Sequence, residues 1–431
     1  VGLKYQSLFN YFKHPNYFQV LADDYVRNES GTGIVHLAPA FGEDDFRVCL
    51  ANNIITKKGE RLVCPIDESG RFTNQVSDYF KRNVKDCDKD IIKELKLTNR
   101  LFSQAPYHHS YPHCWRTDQP LIYKAIDCWF INVEKIKDKL LLNNMKTKWV
   151  PNYVKDSRFH NWLENAKDWC VSRSRYWGTP IPIWINDKTN NRICIGSIEE
   201  LQKYTGVKLD DLHRENVDPL DFSIEGEEGT YKRITEIFDC WFESGSMPYA
   251  QLHYPFENKD VFDKGFPAQF IAEGLDQTRG WFYTLTVLSS ALFNKPAFKN
   301  VIVNGIVMAE DGKKMSKRLK NYTAPDKLME DYGADALRLY LITSGLVKAE
   351  DQRFSDNGVK DMVRRALLPW FNAAKFFQTY ASVDKWHAST HLVESSNITD
   401  KWILSNLQTL KARVSIVSSS TRILRQRHPS S

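Results

Sequence analysis

Between residues 266 and 307 the spacing of apolar positions changes twice. "AQFIAEG" (268–274) is a short run bounded by Pro and Gly, "WFYTLTVLSSALF" (281–293) sets Trp281, Leu285, Leu288 and Leu292 at helical spacing, and "VIVNGIV" (301–307) is a short run again. Alternation marks a strand and a 3.6-residue period a helix. The stretch therefore predicts strand, helix, strand, a βαβ unit of a parallel sheet whose ligands gather where strand C-termini meet helix N-termini. Residues 186–206 read as a small surface insertion into the surrounding α/β region, which runs from about 158 to 345. Upstream, residues 1 to about 157 mix short β-rich runs ("GIVHLAP", "LIYKA", "CWFINV") with Gly and Pro, predicting a separate, mostly β or mixed module. After about 346 the pattern turns helical: Val359, Val363, Ala366, Trp370, Ala373 and Phe377 keep helical spacing, with Pro369 expected to kink or divide that helix. A second helix opens at "NITDKW" with Thr399 or Asp400 as its cap and Ile403, Leu407, Leu410 and Val414 on one face, before a tail that loses periodicity.

Composition narrows the class. A chain of 431 residues holds about two to four domains. With 42% hydrophobic residues, 12 Trp, 19 Tyr and 24 Phe it has ample material for packed cores, which excludes general disorder. The best apolar run, 281–293, is broken by Thr and Ser and falls short of the ~18–20 residues of a membrane span; it reads as a core helix, and no membrane partner is expected. A net charge of +6 from 59 basic and 53 acidic residues favours a polyanionic partner without requiring one. The eight cysteines are never closer than fourteen positions, which rules out a C-x-x-C zinc knuckle and a small disulfide framework and points to reduced thiols in a cytosol-like compartment. The chain opens at Val1 with no initiator Met and no signal segment, and reads as a fragment cut inside a larger protein.

Candidate chemistry concentrates in a few stretches. "DGKKMSKRLKNY" (311–322) is by composition a solvated basic loop or a targeting patch. It follows an apolar strand through an Asp-Gly turn, so its cations are presented at a strand's C-terminal end, where phosphates bind. Lys314, Lys317 and Arg318 could surround a triphosphate while Met315 anchors the loop to the core. In "GTGIVHLAPAFGEDDF" (31–46) a His and paired acids could be a metal site, a catalytic pair or an ordinary turn. "HHSYPHCWRTDQP" (108–120) suggests zinc through His108, His109, His113 and Cys114, but no second Cys lies close and no metal is expected there. Taken alone, Asp276 at a helix start is either a polar group suited to a ligand's ribose or a simple N-cap, two compatible readings, and Trp241 and Trp281 are core residues.

Four motifs in order carry a resemblance. "KMSKR" is similar to the second signature of class I aminoacyl-tRNA synthetases. "FIAEGLDQTRGWF", "WCVSRSRYWGTPIPIW" and "IFDCWFESGSMPYAQLHYPFEN" resemble the isoleucine-specific members, most closely the cytosolic eukaryotic type, over residues 1 to about 410. The resemblance implies an α/β fold: the C-terminal half of a Rossmann-like nucleotide-binding domain at 158–345 with the KMSKR loop, an inserted β-rich editing domain at 1–157, and the start of a helical anticodon-binding bundle at 346–431. It implies Lys314 and Lys317 as catalytic cations, and Glu273, Gly274, Asp276, Gln277, Met315, Ser316 and Arg318 around ATP and the aminoacyl-adenylate. Trp241 and Trp281 would wall the isoleucine pocket, and Asp45 and His36 would hold the free amino group and the attacking water of an editing site. ATP with Mg²⁺ would be the cofactor. Isoleucine and tRNA(Ile) would be the partners, with membership of a multi-synthetase complex open, in the cytoplasm. An editing site suits such an enzyme because one missing methylene is worth only ~1–3 kcal/mol, a figure that belongs to the isoleucine-specific members of the family and is not obtained from this chain.

The resemblance has gaps. No His-x-Gly-His first signature occurs, Gln269 stands where relatives have Asp, and the last seventeen residues do not match. Both sites are therefore expected to be present only in part. The runner-up reading is a noncatalytic tRNA-binding fragment or truncated regulatory product, and a third is a free-standing editing hydrolase.

Overall fold

The computed structural model describes residues 1–29, 32–56, 59–114, 117–316, 319–388 and 395–421. They form two compact units, Val1–Asp127 and Cys128–Ser431. The division falls before the boundary expected at 157, because residues after Cys128 already build the second unit's sheet.

The first unit is organised by helices and turns. Helix α1 (Glu43–Ala51) turns Val48 and Cys49 inward, and Cys49 packs with Ile54, Ile55, Tyr17 and Leu21. Helix α2 (Asp88–Leu97) lends Ile91 to a second small core of Val76, Tyr79 and Cys87. The runs "GIVHLAP" and "LIYKA" are not in strands, and Ile34 is 82% exposed. Pairing among the described residues is limited to isolated bridges such as Lys4↔Gln19 and Ile66↔Phe72. An apolar alternation becomes a strand only where a neighbour takes its ladder hydrogen bonds.

In the second unit, β1 (Phe130–Ile131) precedes α3 (Lys137–Met145) and β2 (Lys148–Val150), and β3 (Trp169–Cys170) pairs antiparallel with β1. Strands β4 (Ile183–Asn186), β5 (Arg192–Cys194) and β6 (Tyr231–Arg233) make an antiparallel sheet in the order β5-β4-β6. Helix α4 (Ile198–Thr205) helps close its core of Trp184, Ile195, Leu201, Val217, Phe222 and Tyr231. The insertion therefore extends well beyond residue 206, since a three-stranded sheet needs the third strand near 231 to be covered.

Helix α5 (Cys240–Ala250) leads to the predicted βαβ unit: β7 (Ala268–Gly274), α6 (Trp281–Phe293) and β8 (Phe298–Asn304). β8 pairs in parallel with β7 on one side and β2 on the other. α6 is the core helix that its apolar run predicts, and its burial extends beyond the one face that the spacing marks. Every residue from Phe282 to Ser290 is buried, while Leu292 is 59% exposed. α5 reaches α6 closely at Gly245, where an added Cβ would lie 2.9 Å from Leu288 Cδ1. α3 meets it through Asn143 Nδ2, which donates to Ser290 Oγ at 2.9 Å. The helix's own hydroxyls are satisfied locally, Thr286 Oγ1 donating to Phe282 O at 2.8 Å and Ser289 Oγ to Lys295 O at 2.6 Å, so polar residues are tolerated in its buried stretch.

Beyond β8, β9 (Val307–Met308) pairs with β10 (Gln352–Arg353) across α7 (Pro325–Tyr332) and α8 (Ala334–Thr343). With α9 (Asp356–Met362) these enclose Leu328, Ala336, Phe354 and Val359. The helical run expected to kink or divide at Pro369 is not divided: right-handed helical backbone continues from α9 through one wider stretch at Val363–Leu367 into α10 (Leu368–Val383), which carries the proline near its start. Trp370 and Phe377, expected on a packed face, are 80% and 55% exposed. α11 (Ile398–Thr421) is capped by Asn397, whose Oδ1 accepts Thr399 N–H at 2.8 Å, and not by Thr399 or Asp400. No helix among the described residues is long and apolar enough to cross a membrane.

The link from β8 to β9 leaves no room for a side chain at Gly305, where a Cβ would fall 1.9 Å from Glu350 O. Backbone cannot yield as a flexible side chain can, so Gly305→Ala is expected to cost about 3 kcal/mol, the upper end of overpacking penalties, read as a lower midpoint in urea unfolding followed by circular dichroism.

Candidate adenylate and editing sites

Glu273 and Gly274 close β7 in register with Val303 and Asn304 of β8, at the sheet's C-terminal edge. Glu273 is exposed. The chain then makes a tight turn, Leu275–Arg279, that carries Asp276 and Gln277. Gln277, not Asp276, caps the following helix: its Oε1 accepts the backbone N–H of Trp281 at 2.9 Å. Its Nε2 donates to Asp276 Oδ2 at 3.1 Å. The cap on α6 thus holds Asp276 beside the strand end, and its other carboxylate oxygen accepts no hydrogen bond among the described residues.

Trp241 and Trp281 come together around Gly280. The Trp241 ring edge is 3.3 Å from where a Gly280 Cβ would stand, and Trp281 Nε1 donates to Ser244 O of α5 at 2.9 Å. Trp241 is 41% exposed, whereas Trp281 packs partly buried against the central core. Asp239, which the sequence reading passed over, organises this corner. Only 4% exposed, it accepts Trp241 N–H at 3.3 Å as the cap of α5, Arg173 Nη2 at 2.8 Å and Trp169 Nε1 at 3.3 Å. A buried carboxylate with a cation and two N–H donors is a compensated charge.

The basic loop leaves β9 as a short hairpin. Ala309 N–H donates to Lys313 O at 2.9 Å and Gly312 N–H to Ala309 O at 2.8 Å, with Gly312 at φ +79°, a left-handed turn that favours glycine. Met315 packs into the core of α7, α8 and α9, and Lys314 is exposed. Asn321 ties the loop: its Oδ1 accepts Ser316 N–H at 2.9 Å and its Nδ2 donates to Lys314 O at 3.2 Å. Asn321 was not among the residues picked out from sequence; only its place in the folded loop reveals the bridge. A cavity of about 320 Å³ lined by Glu310, Met315, Asn321, Thr323 and Asp356 lies beside it. Lys317 and Arg318 lie outside the described residues.

In the first unit, Asp45 sits in the opening turn of α1 with Glu43 and Asp44. Its Oδ2 accepts Ala38 N–H at 2.9 Å, fastening the loop that precedes the helix, and an added Cβ on Gly42 would be 2.8 Å from the same oxygen. His36, two residues before Ala38, is exposed. Arg47 holds Asp23 through two hydrogen bonds of 2.9 and 2.8 Å. Farther along, His113 Nδ1 is 3.0 Å from Tyr111 O, and no group of three or more His, Cys, Asp or Glu converges as for a metal among the described residues.

The profile of the family described as tRNA synthetases class I (I, L, M and V) matches residues 23–353. The chain belongs to this family. It is 55% identical over 421 residues to the cytoplasmic isoleucine–tRNA ligase of Arabidopsis thaliana, covering 95% of this chain and 35% of that protein. It is 53% identical over 421 residues to the cytoplasmic isoleucine–tRNA ligase of Mus musculus, covering 95% of this chain and 33% of that protein. The chain thus spans about a third of the length of these curated relatives. A solved methionyl-tRNA synthetase of Mycobacterium tuberculosis in complex with methionyl-adenylate shares the class I fold, with a TM-score of 0.50 at 16% identity over 72% of this chain and 52% of that one. The synthetase class agrees with the α/β architecture and with the order of strand end, helix start and basic loop.

Because the Gln277 side chain replaces a missing backbone acceptor at the start of α6, Gln277→Ala is expected to lower stability by about 1 kcal/mol. Gln277→Glu, which keeps the acceptor, should lose less; thermal unfolding of the two variants checks the difference.

Proposed function

We propose that this chain is the central part of an isoleucine–tRNA ligase, which joins isoleucine to ATP, releases pyrophosphate, and transfers the aminoacyl group to the 3′-terminal ribose of tRNA(Ile). The observation that carries the reading is 55% identity over 95% of the chain to a cytoplasmic isoleucine–tRNA ligase. The strand-end arrangement of Glu273, Asp276 and Gln277 supports it.

The chemistry follows from charge. The isoleucine carboxylate attacks the α-phosphorus of MgATP, and the bond to the leaving pyrophosphate breaks. Negative charge grows on that leaving group, and fixed cations stabilise it more than they stabilise bound ATP. Lys314 and Lys317 supply those cations, joined by Arg318, while Met315 and Ser316 fix the loop that carries them. Lysine suits the task as a compact point charge on a mobile stem. Glu273, a carboxylate at a strand end, takes the substrate ammonium with Gly274 allowing close approach. Asp276 and Gln277 take the ribose side of the adenylate. Trp241 and Trp281 form rigid apolar walls for the branched side chain, burying hydrocarbon at little entropic cost. Mg²⁺ enters as part of the MgATP substrate.

In the first unit, Asp45 grips the free amino group of a mischarged valine through the carboxylate oxygen not committed to Ala38, and His36 orients the attacking water. The partners are isoleucine and tRNA(Ile), and the compartment is the cytoplasm, in keeping with the relatives' names. Membership of a multi-synthetase complex rests on the resemblance alone.

Isoleucine-dependent ATP–pyrophosphate exchange tests the activation step. Lys314→Ala and Lys317→Ala should each lower the rate about 10²–10³-fold, and Trp241→Ala should raise KM for isoleucine with a smaller effect on kcat. A folded chain without exchange would move the assignment to the runner-up, a noncatalytic tRNA-binding fragment, which filter binding of tRNA(Ile) would then have to support. For editing, hydrolysis of Val-tRNA(Ile) should slow by about 10²-fold or more in Asp45→Ala, while hydrolysis unchanged by that substitution removes Asp45 from the site.

A further inference from the structure

Two cysteines of the second unit share a face and an environment that the proposed ligase chemistry does not use. β1 and β3 pair with Phe130 opposite Cys170 and Ile131 opposite Trp169. The pairing runs on through Val171 N–H, which donates to Trp129 O at 2.8 Å, and Trp129 N–H, which donates to Ser172 Oγ at 2.9 Å. This register sets Cys128 across from Ser172. Alternate residues of a strand share a face, so Cys128, Cys170 and Ser172 project to one side.

Their side chains interact there. Cys170 Sγ is 3.6 Å from Ser172 O and 4.0 Å from Ser172 Oγ, and the register places Cys128 on the same face, diagonally across from Cys170. Burial, and then the neighbouring Cys170, push the Cys128 thiol up to about 11, so it stays protonated at neutral pH. Cys170 has a different neighbour: Arg173 Nη1 is 3.6 Å from its sulfur. A guanidinium stabilises negative charge that develops on a sulfur as it reacts. Both cysteines are half-buried. Cys240, although exposed, has its thiol beside the Asp239 carboxylate at 3.6 Å, which opposes such charge.

We propose that Cys128 and Cys170 form a peroxide-responsive dithiol–disulfide site, with Cys170 attacking and Cys128 resolving. The Cys170 sulfur attacks one oxygen of hydrogen peroxide; the S–O bond forms, the O–O bond breaks, and the departing hydroxide takes the thiol proton to become water. The Cys128 sulfur then attacks the Cys170 sulfenic sulfur; the S–S bond forms, the S–O bond breaks, and the hydroxyl leaves as water with the Cys128 proton. Peroxide is reduced to two waters and two thiols are oxidised to one disulfide. Diagonal positions in an antiparallel pair have Cα atoms ~7–8 Å apart, somewhat beyond the ~4.4–6.8 Å of a disulfide, so closure draws the 128 end of β1 toward β3. A two-residue strand offers little resistance to that movement. Arg173 Nη1 also donates to Cys170 O at 3.0 Å, and Arg173 Nη2 holds Asp239, the cap of the helix that carries Trp241. Oxidation therefore acts one ion pair away from the tryptophan corner.

The test treats the folded, reduced 431-residue chain with hydrogen peroxide, alkylates the remaining thiols and maps unreduced peptides by mass spectrometry. A peptide joining Cys128 to Cys170 is expected, at about ten times or more the yield of any other cysteine pair, as their proximity across the β1–β3 pair dictates. Cys128→Ser should leave a Cys170 sulfenic acid that dimedone traps, and Cys170→Ser should abolish the cross-link. The proposal is overturned if Cys170 is fully alkylated after peroxide treatment, if its sulfenic acid persists in the unsubstituted chain without cross-linking, or if Cys194 and Cys240 oxidise first. The decisive measurement is on the unsubstituted chain and is independent of ligase activity, so a failure here leaves the isoleucine assignment untouched.

Discussion

Burial of α6 on all its sides is the constraint on which the second unit depends. From Phe282 to Ser290 no residue of that helix reaches solvent, and its apolar side chains join Trp149, Phe159, Phe298, Val301 and Val303 in one core. Burying each large side chain is worth about 1.5–3 kcal/mol before the cost of ordering it. A helix this enclosed cannot slide or rotate without opening a cavity, so its first residue is fixed in space. Trp281, Gln277 and the end of β7 inherit that rigidity.

Polar groups convert the rigid frame into a defined corner. Gln277 closes the start of α6 and orients Asp276, while Asp239 closes the start of α5 and joins Arg173 to the strand pair β1–β3. Each is a side chain supplying an acceptor that the helix's first turn lacks. The result is that an exposed carboxylate, a polar turn and two indoles are held by elements, not by loops. Across the C-terminal edge of the sheet, Asn321 does the corresponding work for the basic loop by binding backbone on both sides of Met315.

Much of this organisation was readable in advance. The change of period between 268 and 307 marked the βαβ unit because strand and helix impose different spacings on residues that must face one core. Pro369 marked the place where the helix widens for one turn, at Val363–Leu367, because it lacks an N–H and fixes φ. The basic loop's place after an apolar run ending in an Asp-Gly turn was readable, although the run read as one strand at 301–307 is divided into β8 and β9, which lie in different sheets. Other readings lacked a physical handle. Leu292 had the same spacing as Leu285 and Leu288, yet it lies exposed near the helix end. "GIVHLAP" alternates like a strand and has no ladder partner among the described residues. The cap of α11 fell to Asn397 because its side chain, and not that of Thr399 or Asp400, reaches the first free N–H.

What the sequence determined by itself was local and chemical: the periods that set element types, the turn residues that end them, and the motifs that carry the resemblance to class I synthetases. Those signals lie within a few residues of one another, so no knowledge of the fold is needed to read them. Which polar residues serve as pins was decided only by tertiary structure. Asp239, Arg173, Gln277 and Asn321 acquire their roles from partners that are distant in sequence or reached by one particular rotamer. The placing of Cys128 diagonally across from Cys170 likewise depends on a register between strands separated by α3 and β2. Hydrogen bonds and ion pairs are short-ranged and directional, and spacing along the chain does not encode which of them will close.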